Sequence, residues 1–115
     1  MSARRPKYGN KPVVVDGVRF DSQREANRWW DLRMLEKGGQ ISQLERQVPY
    51  VLAHAVTLHG ARRKKPALRY VADFRYFDVK AGHFVVEDAK GYESPISRIK
   101  RHLMKSVHNV DVRLT

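Results

Sequence analysis

The stretch from Leu68 to Asp88 constrains the fold of this chain more than any other. Leu68 to Phe77 alternates in character, Asp78 to Gly82 supplies turn residues, and Phe84 to Asp88 resumes an extended pattern, which predicts an antiparallel hairpin. One position breaks the pattern. Asp73 stands in Tyr70-Val71-Ala72-Asp73-Phe74, whose other members are apolar or aromatic. An isolated carboxylate buried in such a strand is costly unless it is paired or bound to a cation. The second strand runs out through Glu87-Asp88-Ala89-Lys90-Gly91, and a side-chain period of two puts Asp88 and Lys90 on one face. An acid and an ammonium are therefore expected beside the strand that carries Asp73.

The rest of the chain supplies the elements around this hairpin. With 115 residues there is material for one core, so a single domain over residues 1–115 is expected. Asp16-Gly17 between Val13–Val15 and Val18–Phe20 is a strong two-residue turn signal, which predicts a small β-ribbon. Ser22 and Glu25 have capping-box spacing, Gln23 to Lys37 lacks Gly and Pro, and Gly38-Gly39 stop the helix. Ala26, Trp29, Leu32 and Leu35 form its apolar stripe, with Glu25 on the stripe's edge rather than opposite it. Val48 to Ala53 reads as a strand, and residues 55–66 read as a loop or extension. Ser94-Pro95 opens a second helix to about Val107, with Ile96, Ile99, Leu103 and Val107 expected as its inner face. Val110 to Leu114 is the last strand expected. The resulting class is α+β, a central mixed sheet flanked by helices behind a basic arm (1–11, expected to be flexible) and a hairpin.

Charge narrows the partner. The chain has 23 Lys and Arg against 12 Asp and Glu, a net charge of +11, so a polyanion is expected. The basic residues gather in the arm (Arg4, Arg5, Lys7, Lys11), in a loop (Arg62, Arg63, Lys64, Lys65) and in the late helix (Arg98, Lys100, Arg101, Lys105), a distribution suited to several DNA phosphate contacts. The absence of cysteine excludes disulfides and Cys-based zinc sites. The five histidines lack a zinc-ligand spacing such as H-x-x-x-H. No membrane-spanning apolar run and no secretory signal pattern is present, so the expected compartment is the cytoplasm, without membrane association.

The acids and the lysine suit phosphodiester hydrolysis. Hard carboxylate oxygens hold Mg²⁺ while leaving water positions open, and a nearby lysine orients or deprotonates an attacking water. Gly91 would let a nucleic-acid backbone pass close. Two positions stay open at this level. A one-residue slip of register would present Glu87 in place of Asp88, although only Asp88 shares a face with Lys90. Gln47, expected at the start of its strand, reads equally as an amide touching the metal site or scissile phosphate and as an amide capping backbone groups.

Glu25 on the first helix, Asp73 in Val-Ala-Asp-Phe and Asp88-Ala89-Lys90-Gly91 after a hairpin resemble the PD-(D/E)XK nuclease superfamily over residues 13–114. Tyr8-Gly9-Asn10-Lys11, Val15 to Ser22, Glu45 to Tyr50 and Glu87 to Gly91 resemble, more narrowly, its small phage- and prophage-encoded members classed as a domain of unknown function. Ala72 stands where the superfamily's nominal proline would be. The resemblance implies a restriction-endonuclease-like α-β-β-β-α-β core and Mg²⁺-dependent DNA cleavage, with Mn²⁺ as a substitute. It further implies Asp73 and Asp88 as metal ligands, Lys90 as the catalytic lysine, Glu25 completing the site, and work in phage or prophage DNA processing inside a bacterial host. One such domain carries one site, so cutting two strands most simply requires a homodimer. The rival expectation is a DNA-binding module without catalysis, using the same basic surface.

Overall fold

In a computed structural model, residues 11–115 are described. Arg4, Arg5 and Lys7 of the basic arm lie outside these residues. The element order is β1 (Val13–Val15), β2 (Val18–Phe20), α1 (Gln23–Lys37), β3 (Ile41–Ala53), β4 (Leu68–Asp78), β5 (His83–Asp88), α2 (Pro95–His108) and β6 (Val112–Leu114). The fold is mixed α+β. β1 and β2 form their own ribbon, and the central sheet runs β3-β4-β5-β6, antiparallel except for the parallel β5–β6 pair.

Local chemistry explains the boundaries. Asp16 (φ 51) and Gly17 (φ 77) are both left-handed, as a two-residue hairpin turn with the twist of its strands requires. Ser22 caps α1, its side chain accepting from the Glu25 N–H at 3.2 Å, while Glu25 Oε2 accepts from the Asp21 N–H at 3.2 Å. The helix ends through Gly39, at φ 76. Ser94 caps α2 with Pro95 at the first helical position, and left-handed Asn109 closes it.

Two apolar clusters form the interior. Leu32, Ile41, Phe74, Tyr76 and Val85 pack with Trp29 and Leu35 of α1. Leu52, Tyr70, Ala72, Val86, Met104 and Val112 pack with Leu103 of α2. Adjacent Val85 and Val86 belong to different clusters, so the two helices cover opposite faces of β5. On β4, Tyr70, Ala72, Phe74 and Tyr76 share one alternating row, yet the first two join the α2 cluster and the last two the α1 cluster. The changeover falls at Asp73.

Three expectations need correction. The strand after α1 begins at Ile41 rather than Val48, so Gln47 lies well inside it. Its first half is largely polar because that part of the row is only half-covered, and no apolar run announces it. The expected inner face of α2 is mostly turned outward: Ile96, Ile99 and Val107 are exposed, Leu103 is partly buried, and fully buried Met104 anchors the helix. The last strand is shorter, Val112–Leu114, because Asn109 and Val110 still close the helix through N–H bonds to the Lys105 and Met104 carbonyls. No helix among the described residues is long and apolar enough to cross a membrane.

Candidate metal centre

The site forms where the sheet opens. The β4–β5 ladder ends at Phe74↔Glu87. One residue further, the two strands exchange carboxylates instead of backbone bonds. The Asp73 N–H donates to Asp88 Oδ1 at 2.7 Å, and the Ala89 N–H donates to Asp73 Oδ2 at 2.8 Å. Each aspartate thus satisfies a donor that the departing strand leaves unpaired. On its other side β5 stays held by β6: the Thr115 N–H reaches the Asp88 carbonyl at 2.9 Å, and the Lys90 N–H reaches the Thr115 carbonyl at 3.2 Å. The segment carrying Ala89 and Lys90 therefore remains extended beyond the end of β5, with Lys90 Nζ 3.6 Å from Asp88 Oδ2.

Glu25 enters from the first turn of α1. It is 3% exposed, Gln47 Nε2 donates to its Oε1 at 3.1 Å, and the Arg46 guanidinium lies 3.5 Å from the same oxygen. The Gln47 amide also points at Asp73 Oδ1, at 3.5 Å. A cleft of about 390 Å³ opens in front, lined by Asp21, Glu25, Asp73, Lys90 and Gly91, with the N-terminal turn of α2 opposite. Asp88 lies behind this cleft, 1% exposed, its Oδ2 taken by the buried Tyr70 hydroxyl.

The electrostatics follow from burial. Loss of hydration is the largest influence on Glu25, Asp73 and Asp88, and raises all three above their ordinary values. The charge of Asp73 raises Glu25 further, while the Asp21 N–H and Arg46 pull it back. The Ala89 N–H and then Lys90 hold Asp73 down, and the Asp73 N–H and then Lys90 do the same for Asp88.

Sequence-predicted residues divide accordingly. Glu25, Asp73, Asp88 and Lys90 come together, and Gln47 joins them. Glu87 does not: it faces the α1 side, where Arg28 grips it twice, at 2.7 and 2.8 Å, and the Tyr76 hydroxyl donates to it at 2.5 Å. Among the described residues, no three acidic, histidine or cysteine side chains stand close enough to hold a metal ion as a cluster, and the Asp88 Oδ2 is bonded to Tyr70. Sequence reasoning missed Tyr70, Arg46 and Asp21. A tyrosine inside an apolar strand near a suspected acid was the one available signal, since a buried phenol needs a partner. Of the basic residues, Arg98 and Arg101 pair with Glu93, and Lys105 pairs with Asp111. Arg62, Arg63, Lys64 and Lys65 are exposed in the β3–β4 connection with no ion pair among the described residues.

The family described as "Protein of unknown function (DUF1064)" matches residues 5–115. No curated protein and no solved structure matches the chain. The chain belongs to the DUF1064 family.

Proposed function

We propose that this DUF1064 chain is a Mg²⁺-dependent DNA endonuclease with a PD-(D/E)XK, restriction-endonuclease-like core. The observation that carries the reading is the open fork of β4 and β5, where Glu25, Asp73 and Lys90 line one cleft and Asp88 stands behind it, bonded to the Asp73 N–H and near Lys90. The donor set fits the cation. Mg²⁺ is held by one or two carboxylates and keeps several waters, and Glu25 and Asp73 line the cleft as desolvated, mutually repelling acids.

When bound, the ion neutralises charge on the phosphate and makes a water more acidic. The remaining work falls to the chain. Glu25 and Asp73 would hold the ion, and the Lys90 ammonium, balanced by Asp88, would offer donors to a phosphate oxygen and the attacking water. Asp88 fixes the geometry by tying the Asp73 backbone to the segment that carries Lys90. The exposed basic loop 62–65 lies beyond Ala53, at the end of the long β3–β4 hairpin. Gln47 to Ala53 spans about 20 Å of strand, so grip and chemistry are separated along the DNA. This reading places the protein in phage or prophage DNA processing in the host cytoplasm, acting as a homodimer where both strands are cut.

One observation favours a second reading, a DNA-binding module without catalysis: both Asp88 oxygens are already occupied by protein donors. One experiment separates the two. Supercoiled, linear, single-stranded and four-way-junction DNA are incubated with Mg²⁺, with excess EDTA, and with a Lys90→Ala variant. Cleavage that needs both the metal and Lys90 is the expected result. Salt-sensitive binding without cleavage of any substrate supports the module, and cleavage that survives EDTA rejects the metal mechanism.

A further inference from the structure

Gln47 is held in a backbone state that its strand does not require. It lies opposite Asp73, flanked by Arg46↔Phe74 and Val48↔Ala72, with φ 52. Gln43 also has a positive φ, 56, but it lies within the register shift between Ser42 and Glu45, where a bulge accounts for it. No register shift accompanies Gln47. A left-handed non-glycine residue inside a strand costs about 1–2 kcal/mol and persists only where its surroundings hold it.

The surroundings are two acids. Gln47 Nε2 donates to Glu25 Oε1 at 3.1 Å and points at Asp73 Oδ1 at 3.5 Å, joining carboxylates carried by α1 and by β4. A neutral amide is a weak partner for two desolvated anions, and the place it fills is one a cation would favour. Its other end is a carbonyl oxygen, a hard ligand of the kind Mg²⁺ and Mn²⁺ accept. The terminal torsion of Gln is soft and roughly two-fold, so turning the amide over exchanges donor for acceptor without moving the backbone. Asp88 is committed to Tyr70 and the Asp73 N–H, which leaves Glu25 and Asp73 as the carboxylates facing the cleft together with exposed Asp21.

We infer that Gln47 is a further ligand of the divalent cation held by Glu25 and Asp73, its amide nitrogen tying the two acids in the metal-free protein and its oxygen meeting the ion in the loaded one. The inference rests on the metal-centre reading and adds to it a residue that changes hydrogen-bonding sense on loading. A strand amide that only braces the two acids would make no contact with the ion.

The test is Mn²⁺ binding to the whole chain without DNA, by calorimetry and by electron paramagnetic resonance, for wild type, Gln47→Ala and Gln47→Glu. Gln47→Ala should weaken Mn²⁺ by roughly tenfold or more, and Gln47→Glu, which presents a carboxylate from the same position, should bind at least as tightly as wild type. With Mg²⁺, the Gln47 side-chain NH₂ resonances of the wild type should shift as their carboxylate acceptors are lost. Unchanged or tighter binding by Gln47→Ala overturns the inference and leaves the metal centre standing, since the amide then only braces or competes. Weaker binding by Gln47→Glu than by wild type also overturns it, and remains decisive if the alanine variant fails to fold. No Mn²⁺ binding by folded wild type overturns both the inference and the proposed function.

Discussion

Glu87 and Asp88 are neighbours on one strand, each 1% exposed, and they have opposite fates. On the α1 face, Glu87 receives a two-pronged Arg28 and the Tyr76 hydroxyl. The pair is closed. It holds Arg28 far above its ordinary value through the hydrogen bonds to Glu87, and pushes Tyr76, first by burial and then through Glu87, up to about 12. On the other face, Asp88 has a backbone N–H, a phenol and a lysine at 3.6 Å, and burial still raises it above its ordinary value. At equal burial, Glu87 is closed off by a two-pronged cation, while Asp88 is held by a backbone amide and a phenol beside the β4–β5 fork.

Four measurements press on that contrast. The largest expected effect is on turnover: Asp73→Asn and Lys90→Ala should each lower Mg²⁺-dependent plasmid cleavage by about 10³-fold or more. Asp73→Asn should shift urea-unfolding stability by no more than about 1 kcal/mol, because an amide still accepts the Ala89 N–H. Cleavage at wild-type levels by either variant would remove the chemical half of the comparison. Next, Glu87→Gln should cost about 3 kcal/mol of stability, since it strands Arg28. That figure sits at the low end for buried pairs because the Arg28 side chain is 28% exposed. A loss as small as that of Asp73→Asn would mean the two faces do not differ as described.

Third, replacing Arg62, Arg63, Lys64 and Lys65 with alanine should weaken DNA binding and reduce its log–log salt slope by up to about 4, while Mn²⁺ binding at the cleft stays intact. An unchanged slope would place the DNA footprint elsewhere. The smallest effect concerns pH. Glu25, Asp73 and Asp88 are all raised in the folded chain, so their contribution favours the fold below their ordinary values of 4.5, 3.8 and 3.8 and is lost as pH climbs through the raised values. Metal-free wild type should therefore gain stability relative to Asp73→Asn as pH falls through that window. A wild-type-minus-variant stability difference that does not become more positive on the acid side would show Asp73 to be properly compensated.

Much of this was legible in the chain. Ser22, Gly38-Gly39 and the unbroken run between them marked α1 at its observed boundaries, Gln23–Lys37, because caps and helix breakers act locally. Asp73 stood out by violating an apolar row, and Asp88 and Lys90 by their spacing. The rest depended on tertiary facts. No local pattern says that β3 runs on through Ser42 to Gln47, where Ser42 and Arg46 are half-buried and Gln43, Glu45 and Gln47 are exposed. None says that Glu87 has an arginine waiting on α1, 59 positions earlier. The apolar stripe of α2 misled because periodicity reports that a helix has an apolar face, and only packing decides whether the fold covers it.

The fork between β4 and β5 also equips the protein with its own spectroscopic gauge. The amides of Asp73 and Ala89 are each protected by a side-chain carboxylate rather than by the ladder that protects their neighbours. Hydrogen exchange at these two positions therefore tracks whether Asp88 and Asp73 are still turned inward, separately from the stability of the sheet. A carboxylate drawn away by a ligand unprotects its amide and leaves Phe74 and Glu87 unaffected.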